Sequence, residues 1–342
     1  MSDFADRLLH WWQDHGRHDL PWQEDRTTYR VWISEIMLQQ TRVATVIPYF
    51  ERFMESFPDL SSLARADLDQ VLSRWTGLGY YARARNLHAA AVKCVQEHQG
   101  QLPDTAEALH ALPGIGLSTA NAIIAQALNQ RAPILDGNVK RVLARHGGIE
   151  GWPGRSAVSK ALWAASDQRT PVDRARDYTQ AIMDLGATVC RSRSPVCSAC
   201  PVSHDCVALR DHRIGELPGK KPKKERVERQ SRFLVLRNHQ GKVLLARRPP
   251  SGIWGGLWCF PEGESDPASP TGESLSRLEA KRHEFTHFRL IMRFDHLLVR
   301  QGKGLVADHE EQRWFSPSDA LAKGLPRPVQ AVLQELAKKQ SN

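Results

Sequence analysis

Four of the six cysteines in this 342-residue chain fall in one short stretch, Cys190-x6-Cys197-x2-Cys200-x5-Cys206, while Cys94 and Cys259 stand alone. Thiols at that density are either a disulfide framework or a set of metal ligands. The N-terminus decides between them. Met1 to His10 mixes Asp3, Asp6 and Arg7 with apolar residues and reads as an amphipathic helix, not as a signal peptide. No apolar run approaches the ~20 residues a membrane helix needs. A cytoplasmic address follows, and in that reducing compartment the cluster reads as a metal site. Four soft thiolates suit Zn²⁺ or an iron–sulfur cluster. Zinc sites more often use two close C-x2-C pairs, and only one pair is close here; the spacing also differs from the ferredoxin runs. The cysteines alone leave both metals open.

Upstream of about residue 210 the pattern is helical almost throughout. Apolar residues recur at three- and four-residue spacing, as in Phe4, Leu8, Trp11 and Trp12, or Leu68, Val71, Leu72 and Trp75. Residues 211–230 then mix Pro218, Gly219 and Pro222 with Lys220, Lys221, Lys223, Lys224, Arg226 and Arg229. That composition predicts a basic linker, either a solvated tether or a phosphate contact. Beyond it, Phe233–Leu236, a turn at Asn238–Gly241 and Val243–Ala246 predict a β-hairpin. His287–Val299 is β-rich and Pro328–Lys338 is a closing helix, so residues 231–342 form a small α+β domain. The net charge of +9 suits a partner made of phosphates.

Two carboxylates stand out within the helical part. Glu35 lies in Val31-Trp32-Ile33-Ser34-Glu35-Ile36-Met37-Leu38, with Val31, Trp32 and Leu38 beside it on one helix face. Burial there favours the neutral, proton-donating form. Asp136 precedes Gly137-Asn138-Val139-Lys140 and reads as a helix N-cap, where the helix dipole favours the anion. Carboxylates displaced in opposite directions make an acid and an anion, the pair that glycosidic cleavage needs. Between them, Asp104-Thr105-Ala106-Glu107 resembles a capping box opening a helix that runs to Leu112-Pro113-Gly114-Ile115-Gly116. A second helix starts near Leu117. The glycines Gly114 and Gly116 allow close backbone approach, and the second helix offers its N-terminal amides to an anion.

This order of hairpin, aspartate and four-cysteine loop resembles the helix-hairpin-helix/endonuclease III superfamily. With the C-terminal domain added, it resembles the A/G-specific adenine DNA glycosylases (MutY-type) over nearly the whole chain. The resemblance implies a multidomain protein: an all-α helix-hairpin-helix glycosylase domain over residues 1–210, with the hairpin at 105–127 and a [4Fe-4S] loop at 190–206, plus a Nudix-like α+β domain over 231–342. It implies Cys190, Cys197, Cys200 and Cys206 as ligands of a [4Fe-4S] cluster, with Arg191 and Arg193 against the DNA backbone. Glu35 matches the general acid and Asp136 the carboxylate that stabilises the oxocarbenium ion; Asn138 joins the catalytic set. Ser118 occupies the slot where the endonuclease III branch carries a lysine that attacks the sugar. Without that amine no obligatory Schiff base forms, which implies a monofunctional enzyme. Lys140, one turn beyond Asp136, is expected at a phosphate.

Such an enzyme takes its base out of the stack. Leu38-Gln39-Gln40-Thr41 and Gly77-Leu78-Gly79-Tyr80-Tyr81 resemble the family's two wedge segments, with Gln40 and Tyr80 inserting. Trp22 and Gln180 match residues of the adenine pocket. Leu244–Pro249 and Gly255–Pro261 resemble the Nudix fold, but Glu262, Glu264, Glu273 and Glu279 lack the Arg-Glu-x-x-Glu-Glu helix that a working Nudix hydrolase needs to hold Mg²⁺. The domain therefore reads as a recognition module. Phe285-Thr286-His287 matches the Phe-Ser-His loop by which relatives read 8-oxoguanine, with Thr for Ser. The implied partner is double-stranded DNA with A:8-oxoG or A:G mismatches, bound by a monomer. Two rivals remain at this point: a non-catalytic nucleic-acid-binding module, and a bifunctional pyrimidine glycosylase/lyase, against which Ser118 and the C-terminal domain argue.

Overall fold

The computed structural model describes residues 3–222, 227–263, 273–285, 288–299 and 311–338. The chain divides into two compact units, Met1–Ala64 with Ala89–Lys223, and Arg65–His88 with Lys224–Asn342. Its helices are α1 (Asp3–His15), α2 (Thr28–Leu38), α3 (Val43–Ser56), α4 (Leu60–Arg65), α5 (Leu68–Trp75), α6 (Ala82–Glu97) and α7 (Ala106–His110). There follow α8 (Leu117–Leu128), α9 (Gly137–His146), α10 (Ser156–Arg169), α11 (Ala175–Asp184), α12 (Val207–Arg210), α13 (Pro317–Leu321) and α14 (Arg327–Lys338). None of the described helices is long and apolar enough to cross a membrane.

The first unit is all-helical and is organised around α8. Every residue from Ala120 to Gln126 is buried, so this helix has no solvent face in its middle turns. The helices α2, α7 and α11 pack around it. The predicted amphipathic N-terminus is α1, which buries Phe4, Leu8 and Trp12. A five-residue π-helix, Leu185–Val189, continues α11 into the cysteine loop. The hairpin forms, but its cap sits one residue later than the sequence suggests. Thr105, not Asp104, caps α7, its hydroxyl accepting from Ala108 N at 3.3 Å.

The stretch expected to be a tether is structured over its described residues. Leu217 is buried, and its carbonyl accepts from Arg145 Nε at 2.9 Å. Gly219 N donates to Gly151 O at 3.0 Å, and the Lys221 ammonium lies 5.8 Å from the Trp152 ring. A leucine among lysines is enough to dock this part of the chain. The residues Val227–Gln230, read as the linker's end, already belong to the first strand.

Among its described residues the second unit holds seven strands: β1 (Val227–Arg237), β2 (Val243–Arg247), β3 (Trp258–Cys259), β4 (Glu273–Arg277), β5 (Lys281–Glu284), β6 (Phe288–Leu298) and β7 (Gln312–Phe315). The strand order is β3-β2-β1-β6-β4, with β5 also on β6 and β7 on β2. The central pair β1/β6 is parallel, running from Val227 opposite Phe288 to Arg237 opposite Leu298. Phe233–Leu236 are buried without alternation, as a strand covered on both faces requires. The predicted hairpin β1/β2 turns on Asn238, whose Oδ1 accepts from Gln240 N (3.0 Å) and Lys242 N (2.9 Å). The amphipathic α14 buries Val329, Val332, Leu333 and Leu336. The same unit includes α5, with the Trp258 indole donating to Asp69 at 3.1 Å.

Candidate active site

Packing of α2 on α8 brings Glu35 to Gln126, whose amide donates to Glu35 Oε1 at 2.7 Å. Val31 and Trp32, on the same helix face, are buried. Burial pushes the Glu35 pKa up to about 7; the nearby charge of Asp136 adds to the rise and the Gln126 hydrogen bond opposes it. Asp136 caps α9, with Oδ1 accepting from Val139 N at 2.7 Å and Oδ2 from Asn138 Nδ2 at 3.5 Å.

The expected opposite displacement of the two carboxyls does not hold. Burial raises Asp136 as well, outweighing the amides of Val139 and Asn138 and the charges of Arg141 and Lys140, which all favour the anion. What separates the pair is the company each keeps. Glu35 receives one neutral hydrogen bond, whereas Asp136 faces helix N-terminal amides and two cations.

Asn138 is clamped. Its Oδ1 accepts from Arg141 Nη2 at 2.9 Å, and Arg141 also donates to Gly186 O (2.6 Å) and Cys190 O (2.7 Å). A Cβ on Gly186 would stand 2.6 Å from Asn138 Cβ, so only glycine lets the π-helix come this close. Three side chains and a carbonyl thus join Asp136 to the first cysteine. The Ser118 hydroxyl accepts from Leu135 N at 2.9 Å, holding the segment that leads into Asp136. Trp22 is buried, with its ring edge-on to Phe50. Gln180 is buried, and its amide donates to the fully buried Asp184 at 2.8 Å. Asp184 also accepts from the Trp12 indole and from the Arg17 guanidinium.

In the hairpin Gly114 has φ 78°, a left-handed conformation that glycine adopts without strain. Gly116 caps α8 without a side-chain hydrogen bond, and a Cβ placed on it meets nothing within 4 Å. The amides that open α8 therefore stand clear for an anion. Both expected wedge residues are left-handed non-glycines, Gln40 at φ 58° and Tyr80 at φ 51°. Gln40 is exposed and Tyr80 is 49% exposed. Such strain collects where function needs an awkwardly presented side chain. Lys140 is half-buried; Arg191 and Arg193 are exposed, with Arg191 donating to Ser194 O at 2.8 Å.

The four thiols of Cys190, Cys197, Cys200 and Cys206 line one cavity, walled by Val189, Leu209 and Ile214. Among the described residues no three His, Cys, Asp or Glu side chains converge as ligands of one metal ion. Burial raises the thiols of Cys197, Cys200 and Cys206, Cys200 to about 11. Thiolates here need positive charge. The buried Arg145 supplies some, with Nη1 3.5 Å from Cys190 Sγ, and a bound metal would supply the rest. In the second unit Phe285 stacks on Phe288 with centroids 4.6 Å apart, and its ring also meets Trp254 and His283. Thr286, His287 and Glu264 lie outside the described residues. Glu262 pairs with Arg248 at 2.9 Å, and Glu273 opens β4.

Sequence reasoning missed Gln126, Arg141 and Gly186. Gln126 had a signal: apart from Asn121, it is the polar residue of an otherwise apolar helical stretch, Ala120 to Leu128. Gly186 had none, and the carbonyls that Arg141 reaches beyond Asn138 lie 45 and 49 residues along the chain.

Residues 33–168 match the HhH-GPD superfamily of base excision DNA repair proteins, and residues 232–335 match the NUDIX domain. The chain is 37% identical over 350 residues to the adenine DNA glycosylase of Buchnera aphidicola (strain APS), covering 98% of both proteins. It is 37% identical to the human adenine DNA glycosylase, covering 90% of this chain and 68% of that one. A solved thermostable thymine-DNA glycosylase is 27% identical, with a TM-score of 0.56, covering 61% of this chain and 95% of that one. An end-to-end relative at this identity shows the family: the chain belongs to the adenine DNA glycosylase family of base excision repair hydrolases.

Proposed function

We propose that this glycosylase removes adenine paired with 8-oxoguanine or guanine in duplex DNA and stops at the abasic site. The observation that carries the reading is Glu35, held protonatable at neutral pH by burial beside an Asp136 that keeps helix amides and cations around it. With adenine flipped out of the stack, Glu35 gives its proton to N7. The C1′–N9 bond breaks and its electron pair leaves with the neutral base. Asp136 faces the resulting oxocarbenium ion, and water adds at C1′ and loses a proton, completing hydrolysis. Ser118 offers no amine for a Schiff base, and its hydroxyl is already engaged with Leu135 N.

Tyr80 and Gln40 fill the gap in the stack, Trp22 and Gln180 line the adenine pocket, and Gly114 and Gly116 hold a phosphate. Lys140, Arg191 and Arg193 meet the backbone of double-stranded DNA. The four-thiol cavity takes a [4Fe-4S] cluster, which would brace the loop; its donor set and the adjacent Arg145 support this. Adenine is undamaged, so the lesion must be read on the opposite strand, and Phe285, Thr286 and His287 of the Nudix-like domain do so.

The test is incubation with duplexes carrying A:8-oxoG, A:G or thymine glycol, with and without hot alkali. Cleavage of the first two, visible only after alkali, is expected. Strand breaks without alkali, or release of thymine glycol, would point to the bifunctional enzyme instead.

A further inference from the structure

The turn that presents Tyr80 is left-handed at three of its residues, and strained at Tyr80 itself. Gly77 (φ 97°), Gly79 (φ 77°) and Tyr80 (φ 51°) are all left-handed, and Tyr80 does this without glycine's freedom. Something must over-determine it. The Gly79 carbonyl accepts from the Trp75 indole at 3.0 Å and from Arg83 Nη2 at 3.2 Å, and the Arg83 guanidinium covers the Tyr80 ring at 5.4 Å. Those clamps are local. A further one is not. The buried Tyr81 hydroxyl accepts from Gly77 N at 3.2 Å and donates to Leu325 O at 3.0 Å, in the stretch between α13 and α14.

Other ties fasten the same segment to the C-terminal domain. Ser73 Oγ donates to Ala322 O (2.8 Å) and Arg85 Nη1 to Gly255 O (2.7 Å). A Cβ on Gly324 would lie 2.8 Å from Leu72 Cβ. The Gly255 contact leads further. Its neighbour Trp254, itself left-handed at φ 55°, packs its ring on Phe285, the first residue of the lesion-reading loop. An unbroken series of contacts thus runs from the Tyr80 turn to Phe285.

We propose that Tyr81 is a positioning residue: by joining the Gly77 amide to the Leu325 carbonyl, its hydroxyl fixes the turn that presents Tyr80, so the C-terminal domain sets the wedge as well as reading the opposite base. This rests on the reading of Tyr80 as a wedge. Removing the hydroxyl takes a donor from the carbonyl of the buried Leu325 and breaks the link to the Gly77 amide.

The experiment is a double-mutant cycle in the full-length holoprotein. Tyr81→Phe, Tyr80→Ala and the pair are titrated with a duplex in which a 2′-fluoro adenosine, resistant to cleavage, faces 8-oxoguanine. Tyr81→Phe should weaken binding about fivefold. In the Tyr80→Ala background the same change should do nothing beyond about twofold, because a group that acts through Tyr80 has no target once Tyr80 is gone. Ser73→Ala, which loosens the same surface without touching the turn, should bind as wild type. The proposal is overturned if Tyr81→Phe binds as wild type, if its loss multiplies with that of Tyr80→Ala, or if Ser73→Ala loses as much. If Tyr80→Ala alone binds as wild type, the wedge reading falls, and this proposal with it; additive losses sink the proposal alone.

Discussion

Replacing Glu35 by Gln should stabilise the protein while abolishing adenine release, and the gain should grow with pH. The folded Glu35 has a pKa of about 7 against an ordinary 4.5, so between those values the folded state binds the extra proton. The sign is opposite to that of a salt-bridged carboxylate. Below pH 4.5 both states are protonated and nothing is lost. As pH rises, the unfolded chain ionises first and folding becomes less favourable, until above about 7 the whole cost is present. At ~1.36 kcal/mol per tenfold change in proton affinity, that cost approaches about 3 kcal/mol at pH 8 and is under about 1 kcal/mol at pH 5. Glutamine never ionises, and its oxygen can still accept from Gln126. Urea unfolding of both proteins at the two pH values measures the gap. Wild type should show a fall in single-turnover rate of about tenfold per pH unit once the acid is ionised, and any residual release by Glu35→Gln should lack it. A stability gap that is flat with pH, or a variant that releases adenine near the wild-type rate, would refute the assignment of Glu35 as a buried acid.

Asp136→Asn should fold normally, since asparagine caps helices well, yet lose at least about 10²-fold in single-turnover rate, because the stabilising negative charge is gone. Ser118→Lys should raise borohydride trapping of a protein–DNA adduct above wild type, at a cost of about 1–3 kcal/mol from the orphaned Leu135 amide, read by denaturation. Freshly purified protein should carry about four irons per chain, as the four thiolates imply. Cys197→Ser should lower iron content and weaken DNA binding more than it slows the chemical step at saturating DNA. Phe285→Ala should weaken binding to the A:8-oxoG duplex about tenfold, the worth of one aromatic stacked against a base; unchanged affinity would remove Phe285 from contact with the opposite base.

Legibility in the sequence follows the range of the interaction. The Asp136 cap, the hairpin glycines, the Asn238 turn and the amphipathic faces of α1 and α14 are local, and each is visible in a few consecutive residues. Glu35 was legible because its helix neighbours already determine which face it shares. The Asp136 pKa was not, because its cap is local but its burial is tertiary, and burial wins. Residues 211–222 are held by Arg145 and Gly151, whose bonds to Leu217 O and from Gly219 N are tertiary and leave no local mark. Gln126 could be flagged as polar in an apolar run, but only packing of α2 on α8 names Glu35 as its partner. Arg141 and Gly186 act through carbonyls and close approach, which leave no mark in residue type.

The discontinuous second unit also sets the order in which the chain can finish folding. The Tyr81–Leu325 hydrogen bond spans 244 residues. At ~5–20 residues per second, the ribosome leaves roughly ten to fifty seconds between making one partner and the other. For nearly all of that interval Leu72, fully buried in the finished protein, lacks the Gly324 backbone it packs against, and for most of it the Gly256 backbone as well. The nascent chain therefore lacks these neighbours of Leu72 until residues 256 and 324 are made, and a product released early, near residue 223, never gains them. Such a fragment is a candidate for chaperone capture and proteolysis, and the amount recovered in cells should fall before any property of the surviving site is felt.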